Sequence, residues 1–156
     1  MENLDQKADF LRNKYTGILT GLESYTPPRW GKMNVQQMVE HMADYVRIAS
    51  GKTLLEVVTP EDKLARSRSF LESEKQFPEN TPNALMAEEP RPVKMDNLEQ
   101  AIDELVIELD HFFAVHELEE NRTTVNPFFG DLVYEQQVQL LYKHATHHLR
   151  QFGLDY

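Results

Sequence analysis

Three of the six histidines stand in one short run, His144-Ala145-Thr146-His147-His148, inside an amphipathic stretch near the end of the chain. An α-helix turns by about 100° per residue, so His144 and His148 share one face, with Cα atoms about 6 Å apart along the axis. Two imidazoles so placed can grip one divalent ion of the zinc, nickel or iron type, which normally takes at least one further protein ligand. His41, in Met38-Val39-Glu40-His41-Met42, is the other histidine set in a similar way beside an apolar stripe. The spacing therefore points to a metal site of His41, His144 and His148. The plainer reading is that two histidines four apart decorate a helix surface and that His41 is a satisfied half-buried residue.

Four segments with a helical period would have to position these rings. Leu4, Ala8, Leu11, Tyr15, Ile18 and Leu22 predict a helix over 3–23. Asn34, with Gln37 three residues on, predicts a capping box and a second helix with the stripe Val35, Met38, Met42, Tyr45, Val46 and Ala49. Asp96 with Glu99 announces a third, carrying Leu98, Ala101, Ile102, Leu105, Leu109, Phe112 and Phe113 and ending before Asn121. After the turn Asn126-Pro127-Phe128-Phe129-Gly130, Asp131 is placed to cap a fourth, with the stripe Tyr134, Val138, Leu141, Tyr142, Ala145, Leu149 and Phe152. Between the second and third helices lie five of the eight prolines, Pro60, Pro78, Pro82, Pro90 and Pro92, which predict a long crossover with one short helix near 61–70 and Leu85 and Met86 as anchors. The expected architecture is all-α, one domain over 1–156, a four-helix bundle with a long crossover that permits the second and third helices to run parallel.

Helical-wheel positions separate the histidines. His148 lies at the edge of its stripe and His144 just beyond it, while His147 points nearly opposite and is left out of the site. His41 sits on a flank of its own stripe. His111 falls on the polar side of the third helix, and His116 follows the apolar side near or beyond the helix end. Glu40 points away from His41 and makes a poor general base; Asp44, one turn beyond His41, is the better partner for that imidazole, although a solvent-facing carboxylate is the simpler reading. Trp30, Phe128 and Phe129 read as loops packed on helix ends, and the acidic pairs near Glu88-Glu89 and Glu117-Glu120 as solvated faces.

Composition narrows the classes. Asp+Glu 26 against Lys+Arg 16 gives a formal charge of -10, which argues against a nucleic-acid partner. Zero cysteines exclude a disulfide framework, a thiolate nucleophile and Cys-ligated zinc, and suit a reducing cytoplasm; any thiol in a reaction must come from outside. The first residues lack the charge and apolar pattern of an export signal, and no apolar run approaches a membrane span, so no membrane association is expected. The six glycines form no phosphate-cradling loop, and there is no Gly-x-Ser-x-Gly, no His-Glu-x-x-His and no Glu-x-x-His repeat.

Trp30-Gly31-Lys32-Met33-Asn34-Val35-Gln36-Gln37-Met38-Val39-Glu40-His41-Met42 resembles the histidine-bearing second helix of DinB-like proteins. Asn126-Pro127-Phe128-Phe129-Gly130-Asp131-Leu132, followed by His144-Ala145-Thr146-His147-His148-Leu149-Arg150-Gln151-Phe152-Gly153, is similar to the fourth helix of a DinB-like subgroup, and 77–105 fits as well. The resemblance implies a four-helix bundle whose metal is held by one histidine of the second helix and two of the fourth, matching His41, His144 and His148. It further implies a metal-dependent enzyme acting on a small molecule, as a hydrolase or as an S-transferase using a low-molecular-weight thiol, and homodimers are common among such bundles. The other reading is a non-catalytic bundle with a structural or vestigial metal site, serving dimerisation or partner binding.

Overall fold

The protein is described by a computed structural model over residues 1–80 and 89–156, and it is mostly helical. The expected anchors Leu85 and Met86 lie outside the described residues. The first rod joins α1 (Leu4–Asp9), a π-helical turn (Phe10–Lys14) and α2 (Tyr15–Leu19), shorter than the stripe over 3–23 implied. A wide turn inserts an extra residue and rotates the rest of the rod about its axis. Beyond it Leu19 is buried and Ile18 only half-buried, while Phe10, also outside the expected stripe, is buried against Tyr142.

α3 (Val35–Ser50) starts with the expected capping box: the Gln37 N–H donates to Asn34 Oδ1 at 2.8 Å and the Asn34 N–H donates to Gln37 Oε1 at 2.9 Å. Gly51 ends the helix at φ 82, where a side chain would also crowd the Arg122 guanidinium at 3.0 Å. α3 carries His41, so its start bears on the site. Asn34→Ala is expected to cost about 1 kcal/mol and to lower the thermal midpoint by roughly 2–4 °C, read by circular dichroism.

α5 (Leu98–Leu118) is capped by Asn97, not by Asp96: the Asn97 carboxamide oxygen takes the Gln100 N–H at 2.9 Å, one residue later than expected. His116 lies in its last turn rather than beyond it, with Nε2 donating to the Ala49 carbonyl at 3.3 Å. Asp131 does not cap the last helix either. It belongs to β2 (Gly130–Leu132), which pairs antiparallel with β1 (Thr124–Asn126), a ribbon the sequence pattern does not reveal because both strands have only three residues. α6 (Tyr134–Gln151) instead begins after Val133, whose N–H donates to Gln136 Oε1 at 3.2 Å.

Among the described residues there are five helical rods rather than four, the fifth being α4 (Glu61–Glu72) within the crossover. Side-chain pairings give the directions of the other four. Gln36 meets Met95, Arg47 meets Glu104, and Ala49 meets His116, so α3 and α5 run parallel, as the long crossover permits. Trp30 meets Gln151 and His41 meets His144, so α6 runs against α3; Lys7 meets Gln139 and Phe10 meets Tyr142, so the first rod runs with α6. Their inner faces share one core that includes Leu11, Tyr15, Met38, Met42, Leu105, Phe112 and Leu149.

The crossover is tied down by charge as well as by packing. The buried Lys143 ammonium donates to the carbonyls of Phe70 at 2.7 Å and Ser73 at 2.8 Å, giving partners to groups that a helix end leaves unpaired. Leu71 joins Phe129, Leu132 and Leu140 in a second small core beneath it, which accounts for one of the loop aromatics. Among the described residues no helix is long and apolar enough to cross a membrane.

Candidate metal centre

His41 stands on the flank of α3 between the buried Met38 and Met42 and the half-buried Tyr45, where its ring faces α6 rather than the core. His144 and His148, one turn apart on α6, face back toward it. The three ring centroids form a nearly equilateral triangle: 4.9 Å for His41–His144, 5.0 Å for His41–His148 and 4.8 Å for His144–His148. His41 Nε2 and His144 Nε2 are 2.9 Å apart, and one ligand nitrogen from each ring lies within 4.8 Å of the other two. Nitrogens bound about 2.0–2.1 Å from one ion stand roughly 3.0–3.4 Å apart, so side-chain rotations that open the 2.9 Å pair slightly and close separations of up to 4.8 Å would complete the set. All three candidate ligands are therefore brought together across 103 residues of chain.

Two imidazole nitrogens at this separation either share a proton or share a cation. Burial argues against extra protons on the cluster. It is the main reason His41 is pushed down to about 4, with the charges of His147 and Arg91 acting in the same direction. Burial likewise holds His144 and His148 well below the ordinary imidazole range, each reinforced by a neighbouring ring of the triad. Neutral imidazoles are the form that binds divalent ions.

The third ring is oriented by a residue that the sequence reading missed. His148 Nδ1 donates to Gln151 Oε1 at 2.7 Å, while the Gln151 carboxamide nitrogen donates to the Trp30 carbonyl at 2.9 Å. The second bond fixes which way the amide faces, and the first then fixes the tautomer: the proton sits on Nδ1 and the Nε2 lone pair points into the cluster. That Nε2 is buried and has no hydrogen-bond partner among the described residues, which leaves its lone pair available to an ion. Gly31 makes room for this link, since a Cβ there would meet Gln151 Nε2 at 3.0 Å and its φ is 78. The signal is present in the sequence as a spacing of three between His148 and Gln151, but a search for carboxylate partners of the rings passes over an amide. Gln151→Leu is expected to weaken metal binding by about 10- to 100-fold while the fold persists, measured by competition with a chromophoric chelator.

Asp44 does not orient His41. Its Oδ1 accepts from Arg47 at 2.9 Å and lies 3.8 Å from the Lys94 ammonium. Glu40 is buried rather than pointing idly away: one oxygen accepts from the backbone N–H of Lys94 at 2.6 Å and of Met95 at 3.3 Å, pinning the end of the crossover beside His41. His147 is outside the triad, yet it is buried and not solvent-facing. Trp30 and Phe77 cover it, with ring centroids 5.4 and 6.1 Å away, because the crossover lies over the face of α6 that a single helix presents to water.

His41 also lines a cleft of about 250 Å³ between α3 and the two ends of the crossover. His41 and His144 are half-buried while His148 is buried, so the cluster has a dry floor and an accessible side. The group contains three ligands with no fourth His, Cys, Asp or Glu among the described residues. Such a set suits an ion that keeps coordination positions for something other than protein. Searches against family models, curated proteins and solved structures find no match to this chain.

Proposed function

We propose that this chain is a DinB-like four-helix bundle that acts as a metal-dependent enzyme on a small molecule, either as a hydrolase or as an S-transferase using a low-molecular-weight thiol, in the cytoplasm. The observation that carries the reading is the convergence of three imidazoles from two helices with no fourth His, Cys, Asp or Glu in the group among the described residues. A divalent ion bound there supplies a Lewis acid that makes a coordinated water or thiol a better nucleophile near neutral pH. His41, His144 and His148 hold it, Gln151 keeps the His148 lone pair inward, and Tyr45, packed edge-on to His144 at 4.6 Å, forms part of the wall shared with the cleft. A chain without cysteine takes any sulfur nucleophile from solution.

The test uses protein purified without a histidine tag, stripped by chelator and reloaded in turn with Zn²⁺, Ni²⁺ and Fe²⁺. Hydrolysis of p-nitrophenyl acetate and conjugation of monochlorobimane with added cysteine report the two chemistries. Turnover should return only with metal and be absent from a folded His148→Ala variant. Bound metal without turnover of a broadened ester and electrophile set would leave the ion a structural part and favour the non-catalytic reading.

A further inference from the structure

The cleft against His41 has a cationic group that, among the described residues, has nothing of its own to bind. Its walls are largely apolar, from Met33, Ile48, Leu55, Pro90 and Pro92. Of its polar side chains, Glu40 is consumed by two backbone N–H groups and Gln36, Asp44 is paired with Arg47, and Gln37 is engaged with Asn34 and with the Arg91 carbonyl at 3.0 Å. The Lys94 ammonium keeps a loose contact with Asp44 at 3.8 Å. The Arg91 guanidinium has no carboxylate or other hydrogen-bond partner among the described residues, although its charge reaches His41. In a chain of formal charge -10, an uncommitted guanidinium at the mouth of an apolar cleft is a local reversal of sign.

We propose that this cleft binds a small apolar molecule by its carboxylate, gripped by Arg91, with the body of the molecule against Ile48, Leu55 and the prolines and its reactive end toward His41. The planar fork of arginine matches a carboxylate through two parallel hydrogen bonds. The segment bearing it is held in place beforehand, since Gln37 and Glu40 tie the backbone at Arg91, Lys94 and Met95 to α3, the helix that carries His41. The volume equals the liquid share of about eight waters, room for a fragment of roughly ten heavy atoms. The assignment of this molecule as a substrate rests on the enzymatic reading above; its binding does not.

Phenylacetate, with its neutral near-isostere phenylacetamide, is the probe. Binding to the full chain, chelator-treated so that no metal competes for the carboxylate, is followed by backbone amide shifts, with metal content determined on the untreated sample. The acid is expected to bind about tenfold tighter than the amide at low salt, with shifts centred on residues 41–55 and 90–94, and the preference to shrink as salt rises. Arg91→Gln, at an exposed position and with its fold checked by circular dichroism, should remove the tenfold preference and leave amide binding unchanged. Equal affinity for both probes, an unchanged preference in Arg91→Gln, or no binding of either up to about 10 mM would each overturn the assignment. Arg91-dependent binding in a protein that holds no metal would sink the enzymatic reading alone; retained metal without Arg91 dependence would sink only the cleft.

Discussion

Replacing His148 with alanine is expected to lower divalent-ion affinity by at least about 100-fold, since loss of an outer partner alone commonly costs 10- to 100-fold. The substitution removes a donor from a set of three and leaves the Gln151 carboxamide oxygen, now facing the triad, without the Nδ1–H it accepts. His144→Ala should behave alike, because its Nε2 stands 2.9 Å from that of His41. His147→Ala is the informative control. His147 lies in the same run and is buried, but packs under Trp30 and Phe77 and is outside the converging set, so its loss should affect stability more than affinity. Equilibrium dialysis with metal analysis on untagged protein reads all three. Equal metal content in wild type, His144→Ala and His148→Ala would defeat the triad.

Without metal, the fold is expected to lose several kcal/mol of stability between pH about 6.5 and about 4, the range set by the ordinary and the shifted imidazole. The sign depends on which state takes the proton first. In the unfolded chain His41 protonates as pH falls through 6.5, but in the fold burial holds it neutral down to about 4, so acid favours unfolding throughout that interval. The stabilisation is fully present above 6.5 and lost as pH falls through about 4. A shift of this size at one ring is worth up to about 3 kcal/mol, and His144 and His148 add to it in the same direction. Urea unfolding of chelator-treated protein across this range should show the decline, and a folded His41→Gln variant should show a shallower one. A curve as steep in His41→Gln as in wild type would mean that other groups govern it.

The rods α3 and α5 are legible in the sequence because each signal there is local. A capping box needs four consecutive residues, and the stripe from Val35 to Ala49 follows the helical period without interruption. The first rod is harder, since the π-helical turn at Phe10–Lys14 breaks the period on which its reading depends. The ribbon of Thr124–Asn126 and Gly130–Leu132 escapes notice because strands of three residues carry too few positions for alternation to register. Asp96 and Asp131 are acceptable cap types at plausible places, but backbone geometry selected Asn97 in one case and drew Asp131 into a strand in the other.

For the site, sequence alone determined that His144 and His148 share a face, because four residues of helix set both their spacing and their direction. It determined as well that the chain has no cysteine thiol and carries a formal charge of -10. Only the tertiary structure decided that the His41 ring meets theirs, that His147 is covered rather than solvated, and that Gln151 aims the His148 lone pair inward. The physical reason is that a wheel gives the azimuth of a side chain about its own axis but not the surface laid against that side. Here those surfaces come from Trp30, Phe77 and the segment 90–95, brought back over α3 and α6 by long-range packing of the loop before α3 and of the crossover.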